Sequence, residues 1–155
     1  IAEVEAYIQA DDRWHVFYLG RGTVDFVPKE WLSWLPSWGL DSKEHPQSWL
    51  ILRFEVFSGK LDFYAEVRRM EDLAKRRKVV DLLLEQGAQF GFSRRQKNVV
   101  QIKDSYTRVS RRERVLVWKD GETPEAKSIQ SSVARKLNDL FVKLSKLPEV
   151  VRAIL

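Results

Sequence analysis

Residues 48–87, SWLILRFEVFSGKLDFYAEVRRMEDLAKRRKVVDLLLEQG, read as a β-hairpin running directly into a basic amphipathic helix. Two period-2 runs, Leu50 to Phe57 and Lys60 to Arg68, flank Ser58-Gly59, where glycine can take the positive φ of a tight hairpin turn. With Phe57 and Lys60 beside the turn, Leu50, Leu52, Phe54 and Val56 share a face with Leu61, Phe63, Ala65 and Val67. That face is the expected core. The other carries Arg53, Glu55, Asp62, Tyr64, Glu66 and Arg68, with Glu55 directly opposite Asp62. Like charges so placed destabilise a sheet by up to about 1 kcal/mol unless a cation lies between them. A metal, Lys60 or Arg53 are the candidate cations.

Downstream, Glu71-Asp72 stand where a helix N-terminus favours acids, and the helix is expected to run to about Gln86 and stop at Gly87. Leu73, Val80, Leu83 and Leu84 form its expected buried stripe. Lys75, Arg76, Arg77 and Lys78 form a cationic run, of which two or three at most can face one ligand at 3.6 residues per turn. Residues 94–119, RRQKNVVQIKDSYTRVSRRERVLVWK, hold nine basic and two acidic residues. Strands are expected from Asn98 to Val109 and Val115 to Trp118, with a turn at Asp120-Gly121. Thr123 as N-cap and Pro124 then open a long helix, 124–146, whose stripe of Ile129, Val133, Leu137, Leu140, Phe141 and Leu144 is either core or a dimer seam. Pro148 starts a last short helix over 149–155.

Upstream, Val4 to Ile8 and Trp14 to Leu19 read as a first hairpin across a polar turn. Asp11 and Asp12 in that turn are too few oxygens for a calcium loop, and turns favour Asp for backbone hydrogen bonding, so no metal site is assigned. Gly20-Arg21-Gly22 lacks the strand-to-helix setting of a phosphate loop. Pro28 to Leu35 reads as a short helix, with Trp31 and Trp34 on one face as a lid on the core or, alternatively, a docking patch. His15 and His45 are isolated and form no acid–base or metal constellation.

The 155 residues, 44% hydrophobic, suffice for one domain with a substantial core. Cysteine is absent, which excludes disulfides and thiolate metal sites and suits a reducing cytoplasm. No run resembles a membrane span or a signal peptide. Ile1 rather than Met opens the sequence, leaving open a fragment of a longer protein. The net charge of +5 is uneven: residues 1–60 hold nine acids and six bases, residues 61–155 thirteen acids and twenty-one bases. The basic half is the candidate surface for nucleic acid or another polyanion.

No Walker loop, nucleophile elbow, HExxH or cysteine zinc pattern occurs. Glu66-Val67-Arg68 places Glu66 and Arg68 on one strand face with Glu55 and Asp62 across the hairpin. An acid on one strand and an Asp/Glu-x-Lys on its partner resembles the catalytic core of PD-(D/E)XK nucleases. The resemblance implies Mg²⁺ held by Glu55, Asp62 and Glu66, with Arg68 standing at the lysine position. Arginine stays protonated and cannot act as a base, and the Pro-Asp pair opening the first strand is missing.

A broader resemblance covers about two thirds of the chain. From Trp49 onward, LRFEVFSGKLDFYAEV, a basic helix ending QGAQFGF, a strand ending YTRV and a C-terminal LPEVVRAIL resemble the region after the nuclease core in largely uncharacterised bacterial proteins of the PD-(D/E)XK superfamily. It implies an accessory domain with the cutting site elsewhere.

The expectation is a single α+β domain: an antiparallel sheet of five or six strands with the helices at 71–86 and 124–146 on one face. Its expected role is a non-catalytic, cofactor-free, nucleic-acid-associated module contacting phosphates through Arg94, Arg95, Lys97, Arg108, Arg111, Arg112 and Arg114, with Arg76 and Arg77 behind them. A compact Mg²⁺-dependent nuclease at Glu55, Asp62, Glu66 and Arg68 is one alternative. The other is an interaction domain, homodimeric through the 124–146 helix or the Trp31/Trp34 patch.

Overall fold

A computed structural model describes residues 1–34, 49–96, 106–119 and 121–155, apart from the side chains of Tyr18, Leu19 and Trp34. It is an α+β fold. The antiparallel sheet contains β1 (Trp14–Gly20), β2 (Thr23–Pro28), β3 (Leu50–Phe57), β4 (Lys60–Arg68), β5 (Tyr106–Arg108) and β6 (Glu113–Val117). The first five follow in spatial order, and β6 pairs with the same edge of β4 as β5. The helices are α1 (Ala2–Gln9), α2 (Trp31–Trp34), α3 (Leu73–Gln86), α4 (Ala126–Leu144) and α5 (Leu147–Ile154), with a 3₁₀ turn from Gly87 to Phe90. Among the described residues no helix is long and apolar enough to cross a membrane.

The central hairpin has the expected register, Leu50↔Val67 through Glu55↔Asp62 to Phe57↔Lys60. Ser58 and Gly59 have φ of 46° and 73°, so both turn residues are left-handed, which matches the twist of paired strands. On the core face Phe26 stacks on Phe54, with centroids 5.3 Å apart. Phe63 lies 5.6 Å from Phe54 and 6.5 Å from Phe92. Each of these rings is buried, and truncating one to alanine typically costs about 3–5 kcal/mol.

The first hairpin differs from expectation. Val4 to Ile8 is helical, because Val4 and Ile8 one turn apart are both buried on one face of α1. Strand β1 instead pairs with β2 around Arg21-Gly22. At Gly22, φ 71°, a Cβ would stand 2.9 Å from the Val56 carbonyl oxygen; its own carbonyl accepts from Val56 N at 2.7 Å. Pro28 therefore ends a strand rather than opening a helix, and α2 is one turn. Trp31 in that turn is fully buried, as core rather than docking patch.

Asp72 caps α3, its side chain accepting from Lys75 N at 3.0 Å. Leu73 is exposed, while Val79, Val80, Leu82, Leu83 and Leu84 are buried. Helix α4 starts later than expected, with Glu125 rather than Thr123 at its N-cap. Ile129, Val133, Leu137, Leu140 and Leu144 are buried within the chain, whereas Phe141 sits at the rim, 36% exposed. That stripe, read as core or dimer seam, is core.

Candidate polyanion site

The site arises from an interruption in the strand pairing along β4. β5 pairs with Glu66 to Arg68, β6 with Lys60 to Phe63. Between them the chain spends Val109 to Arg112 opposite only Tyr64 and Ala65. Val109 N donates to Ala65 O at 3.0 Å, and the buried Ser110 hydroxyl accepts from Ala65 N at 2.9 Å. The two surplus residues bulge outward, and bulges of this kind re-aim side chains. Arg111 N donates to Ser93 O at 2.9 Å, tying the bulge to the segment that leaves the 3₁₀ turn.

Bulge and segment enclose an open cavity of about 890 Å³ lined by Arg94, Arg95, Gln96, Arg108 and Arg111. Among its described lining residues there is no carboxylate. Arg95 Nη1 donates to the Arg108 carbonyl oxygen at 2.7 Å. Burial, and then the like charge of Arg108, push the Arg95 pKa below the ordinary arginine value. The Nε of Arg108 is buried with no hydrogen-bond acceptor among the described residues. Of the arginines expected to contact phosphate, Arg94, Arg95, Arg108 and Arg111 thus come together across a gap of more than ten residues in sequence. Lys97 lies outside the described residues.

The remaining candidates have other partners. Arg112 pairs with Glu55, and its guanidinium lies 4.5 Å from the Tyr64 ring centroid. Arg114 Nε donates to Asp62 Oδ1 at 3.2 Å. The cations that meet Glu55 and Asp62 therefore come from the bulge and β6, rather than from Lys60 or Arg53. Arg77 pairs with Asp81 at 3.3 Å on the exposed side of α3. Arg76 is 2% exposed. Its Nε donates to Arg68 O at 3.0 Å, and its Nη2 to Val67 O at 3.0 Å and Thr107 Oγ1 at 3.1 Å. It rivets α3 to β4 and β5, and its burial withdraws it from any phosphate-contacting surface.

The carboxylates read as a nuclease-like set are spread along a polar face. Glu66 accepts from Arg68 Nη1 at 3.1 Å and lies 3.9 Å from Arg53 Nη1. Tyr64 stands between it and Asp62 on β4, and the Tyr64 hydroxyl donates to Glu55 Oε2 at 3.0 Å. No group of three metal-ligating side chains occurs among the described residues. Asp11 in the first turn is held by Arg13, through contacts of 2.7 to 3.2 Å that lower its pKa.

Asp25 is the member of this face that sequence reasoning missed. It is fully buried, and Arg53 grips it through Nε at 2.5 Å and Nη2 at 2.8 Å. Burial opposes the charge on Arg53, but Asp25 and the Tyr64 hydroxyl outweigh it and raise its pKa. The signal was an acid alone in the apolar strand TVDFV, directly opposite a strand arginine.

None of the family models, curated proteins or solved structures compared with this chain matches it.

Proposed function

We propose that this chain is a nucleic-acid-binding module that grips backbone phosphates in the arginine-lined cavity and does no chemistry itself. The observation that carries the reading is the convergence of Arg94, Arg95, Arg108 and Arg111 without a described carboxylate among them. Arginine presents a planar fork of donors to phosphate oxygens. Elsewhere on the sheet Arg112, Arg114, Arg53 and Arg68 all meet carboxylates, so the cavity is where an anion from outside is called for. The resemblance to the segment following a PD-(D/E)XK nuclease core gives this binding a setting, an accessory domain beside a DNA-processing unit. The cysteine-free composition suits the cytoplasm of a bacterial cell.

Fluorescence anisotropy with fluorescein-labelled oligonucleotides tests the reading. Four phosphate contacts predict that affinity falls about 50- to 150-fold between 50 and 200 mM salt. Affinity that stays constant over that range overturns it.

A further inference from the structure

We propose, building on the phosphate-binding reading, that the cavity seats the phosphate monoester at one end of a nucleic-acid strand, held by Arg95 and Arg108. The lining arginines divide by burial: Arg95 and Arg108 are half-buried, whereas Arg94 and Arg111 are exposed. The half-buried pair is joined directly, since Arg95 Nη1 donates to the backbone carbonyl oxygen of Arg108 at 2.7 Å. That bond fixes the head of Arg95 beside the residue that brings the second guanidinium.

Two cations held together and partly out of water repel one another, and an anion that joins them relieves the repulsion. The Arg108 charge is felt at Arg95, where it adds to burial in lowering the pKa. The buried Arg108 Nε has no acceptor among the described residues, so the pair also has a donor to spare. An internal phosphodiester offers such a pair a single negative charge. A phosphate monoester carries about −1.5 to −2 at pH 7 and presents three strong acceptor oxygens, which suits two adjacent guanidinium groups. The exposed Arg94 and Arg111 are then left for the backbone phosphates that follow the strand end.

Anisotropy titrations at low salt use dT12 with an internal fluorescein and a phosphate at its 5′ end, at its 3′ end or at neither. A hydroxyl-ended dT13 with the same label controls for the added charge. One phosphorylated form is expected to bind about tenfold more tightly than dT13 at about pH 7.5, and which form it is gives the end that is held. At about pH 5 the monoester is below its second pKa of about 6, so its advantage over dT13 should shrink to about twofold. Arg95→Gln should abolish the advantage while dT13 still binds. Equal affinity for all four oligonucleotides overturns this inference and leaves the phosphate reading standing. Saturable binding of none overturns both. An advantage that persists undiminished at the lower pH overturns recognition of the doubly charged group, and one retained in a folded Arg95→Gln protein overturns the role of Arg95. Competition by thymidine 5′-monophosphate at the affinity of the oligonucleotide itself would make the free nucleotide the ligand and overturn the strand-end assignment. Since the first comparison uses the unaltered protein, the test stands even where the variant fails to fold.

Discussion

The sheet and the segments beside it carry two groups of arginines, and their neighbours separate them. On the polar face of the sheet, Arg53 of β3, Arg68 of β4, Arg112 of the bulge and Arg114 of β6 meet Asp25, Glu66, Glu55 and Asp62 respectively. Around the bulge, Arg94, Arg95, Arg108 and Arg111 line one cavity. Charge counting cannot distinguish these groups. The first holds a sheet together and the second leaves a local excess of positive charge. Within about one Debye length, roughly 8 Å at physiological salt, that excess is felt by an approaching anion. A basic stretch is therefore informative only once its internal partners are subtracted.

The largest effect expected belongs to an arginine buried in the fold's interior. Arg76→Met keeps the aliphatic stem but leaves Val67 O, Arg68 O and Thr107 Oγ1 without their donor. Hydrogen bonds from charged groups contribute about 1.5–3 kcal/mol each, so a loss of at least about 3 kcal/mol is expected in urea unfolding. Where the variant remains folded, its oligonucleotide affinity should match that of the unaltered protein. A stable Arg76→Met protein that no longer binds would move Arg76 from the structural group to the binding group.

A smaller effect tests the centre of the paired group. Tyr64→Phe removes the donor to Glu55 and the acceptor for Arg53, with an expected cost of about 1 kcal/mol. The sign of its pH dependence is specific. Burial, only partly offset by Arg53, raises the Tyr64 pKa in the folded chain. The unfolded chain then loses its phenolic proton first as pH rises past about 10, which favours unfolding. Stability is whole below that pH and declines above it toward the folded pKa. The unaltered protein should lose more stability than Tyr64→Phe between about pH 9 and about pH 11, as measured by urea midpoints; an equal loss would take Tyr64 out of the network.

Local pattern made part of this legible beforehand. The hairpin register could be read residue by residue, because a one-residue slip would turn Phe54 and Phe63 to the polar face. The α4 stripe was as plain. In Ala2–Gln9, by contrast, Val4, Ala6 and Ile8 alternate while Val4 and Ile8 are also one helical turn apart, and packing decided between the two periods. Arg76 stands three, four and seven residues before the buried Val79, Val80 and Leu83, so helical periodicity put it on the inner face while its charge argued for the surface. The cavity was half legible. Its arginines were visible as a basic stretch, but the bulge that gathers four and sends Arg112 and Arg114 to Glu55 and Asp62 depends on β5 and β6 sharing one edge of β4.

Two double substitutions sharpen the comparison most, though each changes stability little. Arg94→Gln with Arg111→Gln removes two exposed cations from the cavity, so stability should stay within about 0.5 kcal/mol. The logarithmic salt slope of oligonucleotide binding should fall by about 1.4 for a single strand and about 1.8 for a duplex. Arg112→Gln with Arg114→Gln removes the same charge but leaves Glu55 and Asp62 facing one another across the hairpin. Cross-strand repulsion should then cost up to about 1 kcal/mol while the slope holds. The two variants carry identical net charge, so a general electrostatic attraction would weaken both equally. Matching salt slopes would show that the whole basic face acts as one surface; divergent slopes, with the stability loss confined to Arg112 and Arg114, would confirm that partners divide it.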